Sequence, residues 1–163
     1  MTMLRKILLL LLVIFVIIQF FRPAKNLSDV FQANNIETKY PASAEVKATL
    51  QKACYDCHSN NTKYPWYSNI QPVAWWLNKH IKDGKKELNF DEFTNYDQRR
   101  QYHKLEEIEE QMKEGGMPLK SYTLIHKEAI LTDAERDAIY AWIAAARADM
   151  EVAYPKDSLV RRR

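Results

Sequence analysis

The sequence predicts an all-α domain behind an apolar N-terminal segment, and three observations predict it. Apolar residues recur at three- and four-residue spacing in four stretches between Ser43 and Asp149. Helix punctuation brackets those stretches, with Ser43, Pro72, Asp97 and Thr132 at the starts and Gly84 and Gly115-Gly116 at two of the ends. No strand-like alternation of useful length flanks the central pair of cysteines, Cys54 and Cys57.

Residues 1–22 read as a signal anchor or signal peptide. Arg5 and Lys6 precede an unbroken apolar run from Ile7 to Ile18, which Gln19-Phe20-Phe21 and Arg22 follow. No small-x-small cleavage site lies in the usual place, which favours an uncleaved anchor. The run is short for a span of roughly 20 residues, but Met3 and Leu4 lengthen it and the flanking bases can snorkel. Arg5 and Lys6 place the amino end in the cytoplasm and everything after Arg22 outside. Residues 23–41 are polar and unpatterned and read as a tether. Residues 42–150 are the size of one domain. Residues 151–163 form a basic tail ending in Arg161-Arg162-Arg163.

Four helices are expected in the domain. The first starts at Ser43 and carries Val46, Leu50 and Cys54 on one face. The second runs from Pro72 to Asp83, with Val73, Trp76, Leu77, His80 and Ile81 on its apolar side and Gly84 as its stop. The third runs from Asp97 to Glu114, turns Tyr102, Leu105, Ile108 and Met112 inward, and ends at Gly115-Gly116. The last opens on Thr132-Asp133-Ala134-Glu135, a capping box, and presents Ile139, Trp142, Ile143 and Ala146.

Charge excludes one class of partner. The net charge is +3, but all 21 acids follow Arg22 while Arg5, Lys6 and Arg22 do not, so the part after Arg22 is formally neutral. Nucleic-acid binding has no electrostatic support.

The strongest chemical signal is Cys54-Tyr55-Asp56-Cys57-His58, which spends both cysteines of the chain. Cys-x-x-Cys-His is the attachment signature of c-type haem. Thiols three residues apart on a helical turn suit the two vinyl groups on one edge of a porphyrin, and the adjacent imidazole suits an axial position on the iron. Two other readings of the pair are a thioredoxin-like redox couple and a zinc site completed from His80, His103 or His126. With no second such motif, one covalent haem c per chain is expected.

Several blocks carry a family resemblance. Gly116-Met117-Pro118 after a middle helix, and Leu131 to Arg136 opening the last one, resemble a monohaem c-type cytochrome. More narrowly, Cys54 to Asn60, then Thr62-Lys63-Tyr64-Pro65-Trp66-Tyr67 and Pro72-Val73-Ala74-Trp75-Trp76-Leu77, are similar to the haem-binding domain family of small bacterial exported proteins. The resemblance covers about residues 40–150 and implies a cytochrome c-like fold, covalent haem and a periplasmic location. A long aromatic loop and a long polar helix before Met117 set this chain apart from the commonest small cytochromes.

The group opposite His58 has two candidates. Met117 follows glycines that let the backbone approach the porphyrin, and Pro118 stiffens the far side. His80 falls on the apolar face of the second helix and is the rival. Met112 reads as core, and His103 and His126 read as surface residues. By resemblance to other cytochromes c, the carbonyl of Pro65 or Pro72 is expected to hold His58 Nδ1. Tyr64, Trp66, Tyr67 and Trp76 are expected to wall the haem, with Trp75 beside them. The function that follows is a membrane-tethered periplasmic electron carrier rather than an enzyme, with membrane-associated redox proteins as partners. A haem enzyme or a gas- or redox-sensing module with an open sixth site is the alternative.

Overall fold

In a computed structural model that describes residues 2–160, no strand occurs among the described residues. The Arg161-Arg162-Arg163 end of the basic tail lies outside them. Helix α1 (Met3–Ile18) precedes seven further helices: α2 (Ala44–Ala53), α3 (Tyr55–His58), α4 (Val73–Glu87), α5 (Gln98–Lys113), α6 (Lys120–Ile125), α7 (Asp133–Ala153) and α8 (Lys156–Leu159). The class is all-α, as the sequence predicts.

The expected membrane-spanning helix is the first departure. Helix α1 has 16 residues, a length of about 24 Å at 1.5 Å per residue, against a hydrocarbon core of about 30 Å. Among the described residues no helix is long and apolar enough to cross a membrane.

Local chemistry explains where the other helices start. Ser43 Oγ accepts the Val46 N–H (3.2 Å), and an Asp97 carboxylate oxygen accepts that of Arg100 (2.8 Å). Thr132 and Glu135 close a reciprocal capping box at the head of α7. Gly115, at φ +70°, turns the chain after α5. Gly84 does not stop α4, which runs on to Glu87.

The core lies where α2, α5 and α7 pack together, with α8 against α5. Leu50, Leu105, Ile139 and Ile143 are fully buried there, as is Met150, which lies within α7. Short 3₁₀ turns at Ile36–Thr38 and Phe90–Asn95 add Ile36, Phe90 and Phe93. The far end of the segment 23–41 is therefore anchored, while Leu27, Val30 and Phe31 stay exposed. Ile36 and Tyr40 belong to the core, and the Trp142 indole N–H donates to the Tyr40 carbonyl (3.3 Å).

Candidate functional site

The Cys54 carbonyl accepts the N–H groups of Cys57 (3.2 Å) and His58 (3.0 Å), so α3 is a single tight turn hung on the end of α2. Helix α4 packs directly on that turn because Gly84 has no side chain. A Cβ there would stand 2.8 Å from the Cys57 carbonyl oxygen and 3.3 Å from its Cβ. Gly84 is thus the point of contact between α4 and the motif rather than a helix stop.

His58 Nδ1 lies 3.0 Å from the Leu88 carbonyl, just past the end of α4. With the Nδ1 proton donated there, Nε2 keeps the lone pair a metal needs. Leu88, not Pro65 or Pro72, supplies the orienting carbonyl. The physical reason is the extension of α4 beyond Gly84, which carries Leu88 to the imidazole. Burial pulls the His58 pKa down, against the carbonyls of Leu88 and Gly84, and so favours the neutral, ligating ring.

Cys54 and Cys57 are both free thiols. Burial pushes Cys54 up to about 12, with Cys57 adding to it, and pushes Cys57 up to about 11, with Asp56 adding to it. A thioredoxin-like couple needs a depressed thiol pKa, and this environment does the opposite. Among the described residues no three His, Cys, Asp or Glu side chains gather to hold a metal ion, so the zinc reading lacks a ligand set.

Of the cavities at the motif, two share most of its thiol and imidazole lining. One, of about 200 Å³, is bordered by Cys54, Cys57, His58, His80, Leu119 and Tyr122. The other, of about 390 Å³, is bordered by Cys54, His58, Leu88, Phe90, Ile108, Met112 and Leu131. Ala53, Glu87, Met117 and Pro118 line both, as do Cys54 and His58. His80 borders only the smaller. Two thiols and a neutral imidazole at the edge of an apolar cleft, with a thioether on the facing loop, are a donor set that fits a haem. Met112 is 8% exposed and serves both the core and the cleft wall.

A polar frame holds the motif from behind. The Asp56 carboxylate accepts the Lys63 N–H (3.0 Å) and the Tyr122 hydroxyl (2.8 Å). Buried Asp91 accepts from the Asn60 N–H and the Asn35 amide, both at 2.7 Å. The Asn26 amide donates to the Ser59 carbonyl and Thr62 Oγ1, both at 2.9 Å. Asn26 and Asn35 come from the segment that reads as a tether, and an unpatterned polar stretch carries no signal of such contacts.

Of the four aromatic residues expected at the haem, none lines these two cavities, but Tyr67 and Trp76 border a smaller one of about 60 Å³ together with Cys57, His80, Leu119 and Tyr122. Tyr64 accepts the Asn26 N–H through its hydroxyl (2.7 Å), and Trp66 is 76% exposed. Trp76 is 47% exposed and packs its ring 4.1 Å from that of His80. The Tyr67 hydroxyl lies 2.6 Å from His126 Nε2, whose ring also stacks on Tyr122 at 4.3 Å. His126 is therefore held between two tyrosines rather than left on the surface, whereas His103 is exposed beside Glu106 and Glu107. Tyr122 and Leu119, on or next to α6, were the site residues without a sequence signal, because α6 is too short to show a period.

Comparison with known proteins agrees with this geometry. Over 102 residues, 61% of the chain, the sequence is 31% identical to the cytochrome c peroxidase Ccp of Escherichia coli (strain K12), and the match spans 22% of that protein. No solved structure matches. The family described as "Haem-binding domain" matches residues 13–145, which take in the thiols, the imidazole and both cavities' walls, so the chain belongs to the haem-binding domain family.

Proposed function

We propose that this protein is a membrane-tethered periplasmic c-type cytochrome that passes single electrons between redox proteins. The observation that carries the reading is the convergence of Cys54, Cys57, His58 and Met117 on one apolar cleft with His58 Nδ1 already committed to Leu88. In it, the thiols of Cys54 and Cys57 would hold the haem covalently. His58 Nε2 and the Met117 thioether would be the chain's donors to its iron. When bound, the haem supplies a one-electron Fe(III)/Fe(II) couple. The chain's own residues fix the imidazole, exclude water with Leu88, Phe90, Ile108 and Leu131, and so set the potential.

Met117 is preferred to His80 as distal ligand because, like His58, it borders both cavities. Tethering through α1 raises the effective concentration at membrane partners without adding contacts. The test is the visible and near-infrared spectrum of the full chain made in a host with cytochrome c maturation. A low-spin spectrum with the weak red iron-thioether band, lost in Met117→Ala, is expected. A pyridine haemochrome spectrum of c type, unaffected by acid-acetone extraction, checks the thioethers.

One observation favours a second reading, peroxide reduction. A similar protein is a cytochrome c peroxidase, and Met117 is 36% exposed on a loop, so its thioether would be displaceable from a bound haem. A high-spin spectrum without the red band, with turnover of hydrogen peroxide, would move this reading ahead.

A further inference from the structure

We propose that the domain is seated on the lipid bilayer by an aromatic face at the start of α4, rather than swinging on a leash. The inference rests on the tethering reading above and adds a second, interfacial contact to it.

The first argument is length. Helix α1 is apolar all round from Ile7 to Ile18 and almost wholly exposed. Such a helix belongs in an apolar medium, yet it falls about 6 Å short of the hydrocarbon thickness. Its chain continues into Phe20 and Phe21, 82% and 63% exposed, so a bilayer that covers α1 draws these rings and whatever is fixed to them toward its surface.

The second argument is what is fixed to them. The Gln19 side chain pairs with the backbone of Gln71 at both ends, accepting its N–H (2.9 Å) and donating to its carbonyl (3.2 Å). The Gln71 amide and the Trp75 indole N–H both donate to the Phe21 carbonyl, each at 2.8 Å. Gln71 is fully buried. Four hydrogen bonds therefore lock the exit of α1 to the start of α4.

The third is the face so presented. Ile70, Val73, Trp75 and Trp76 are 36–47% exposed around that junction. Indole rings with an apolar body and a polar N–H are at home in the headgroup layer. The same helix reaches Gly84 and the Cys57 turn eleven residues after Val73, about 16 Å along its axis. Seating would hold the haem cleft at a fixed height above the membrane, where a membrane-embedded redox partner meets it in one orientation.

The test uses the full chain carrying fluorotryptophan, reconstituted in nanodiscs of anionic and zwitterionic lipid with and without a doxyl spin label. The four tryptophan ¹⁹F signals are assigned by single Trp→Phe variants. Loss of the Trp75 and Trp76 signals with spin-labelled lipid is expected, while that of Trp142, buried in the core, stays. Gln71→Ala should restore the two signals while the chain still co-elutes with the discs. A chain that does not co-elute overturns both the tether and the seating. Co-elution with all four signals intact overturns the seating alone, as does a Trp75 and Trp76 response that follows protein concentration in detergent and marks a second copy instead.

Discussion

Gly84 shows how one residue sets the site. It lies inside α4, where a glycine costs helix stability, and it is retained against that cost because the Cys57 carbonyl oxygen occupies the space of a Cβ at 2.8 Å. The obstacle is backbone, which cannot rotate away. Gly84→Ala is therefore expected to destabilise the fold by about 1–3 kcal/mol and to reduce haem incorporation, as read by urea unfolding and by the ratio of Soret to protein absorbance. Gly→Ala gains within an ordinary helix would give the opposite sign. Sequence alone reads a glycine after a lysine- and aspartate-rich turn as a stop. The contact that explains it is between residues 27 positions apart, which no local pattern records.

Among the elements, α7 is the one most legible in advance, since its capping box and apolar stripe are both local. Thr132 Oγ1 accepts the Glu135 N–H (3.2 Å) and a Glu135 carboxylate oxygen accepts that of Thr132 (3.0 Å). Thr132→Ala should cost about 1 kcal/mol, measured by denaturant unfolding. Glu135 is held below its ordinary 4.5 by the Lys52 ammonium, then by the Thr132 N–H. A depressed carboxyl pKa adds stability that is complete above the unfolded value and fades as pH falls through the folded one. The gap in stability between the native chain and Glu135→Gln should thus be present at about pH 6 and shrink as pH falls below the ordinary carboxyl value of 4.5. The elements missed were α6, α8 and the 3₁₀ turns, each too short for periodicity. The turn at Phe90–Asn95 matters to the site through Asp91. Asp91→Ala would strand the part-buried Asn60 N–H and leave the Asn35 amide only its 3.5 Å contact with the Tyr55 hydroxyl, at about 1–3 kcal/mol in all, checked by thermal unfolding.

For the whole molecule, the cleft is continuous with the core. Ala53, Leu88, Phe90, Met112 and Leu131 belong to both, so the cofactor would complete the interior rather than sit on it. The chain with Cys54→Ser and Cys57→Ser, grown without haem loading, is expected to unfold at lower temperature than the loaded protein. Equal melting temperatures would show a core complete without the haem.

The Cys54-to-His58 motif, the all-α class, the caps of α2, α5 and α7, and the inward faces of Val46, Leu50, Ile139 and Ile143 were readable in the linear chain. Helical period, capping and the geometry of two thiols beside an imidazole are short-range properties, written within one or two turns. The Leu88 carbonyl on His58, the Gly84 contact, the burial of Ile36 and Tyr40 and the outward placement of Trp66 required the fold, because each joins segments 27 to more than 60 residues apart or depends on which face a neighbour covers. The aromatic block illustrates the difference. Its spacing is that of a buried stripe, but burial is a relation between surfaces, and the partner surface lies elsewhere in the chain.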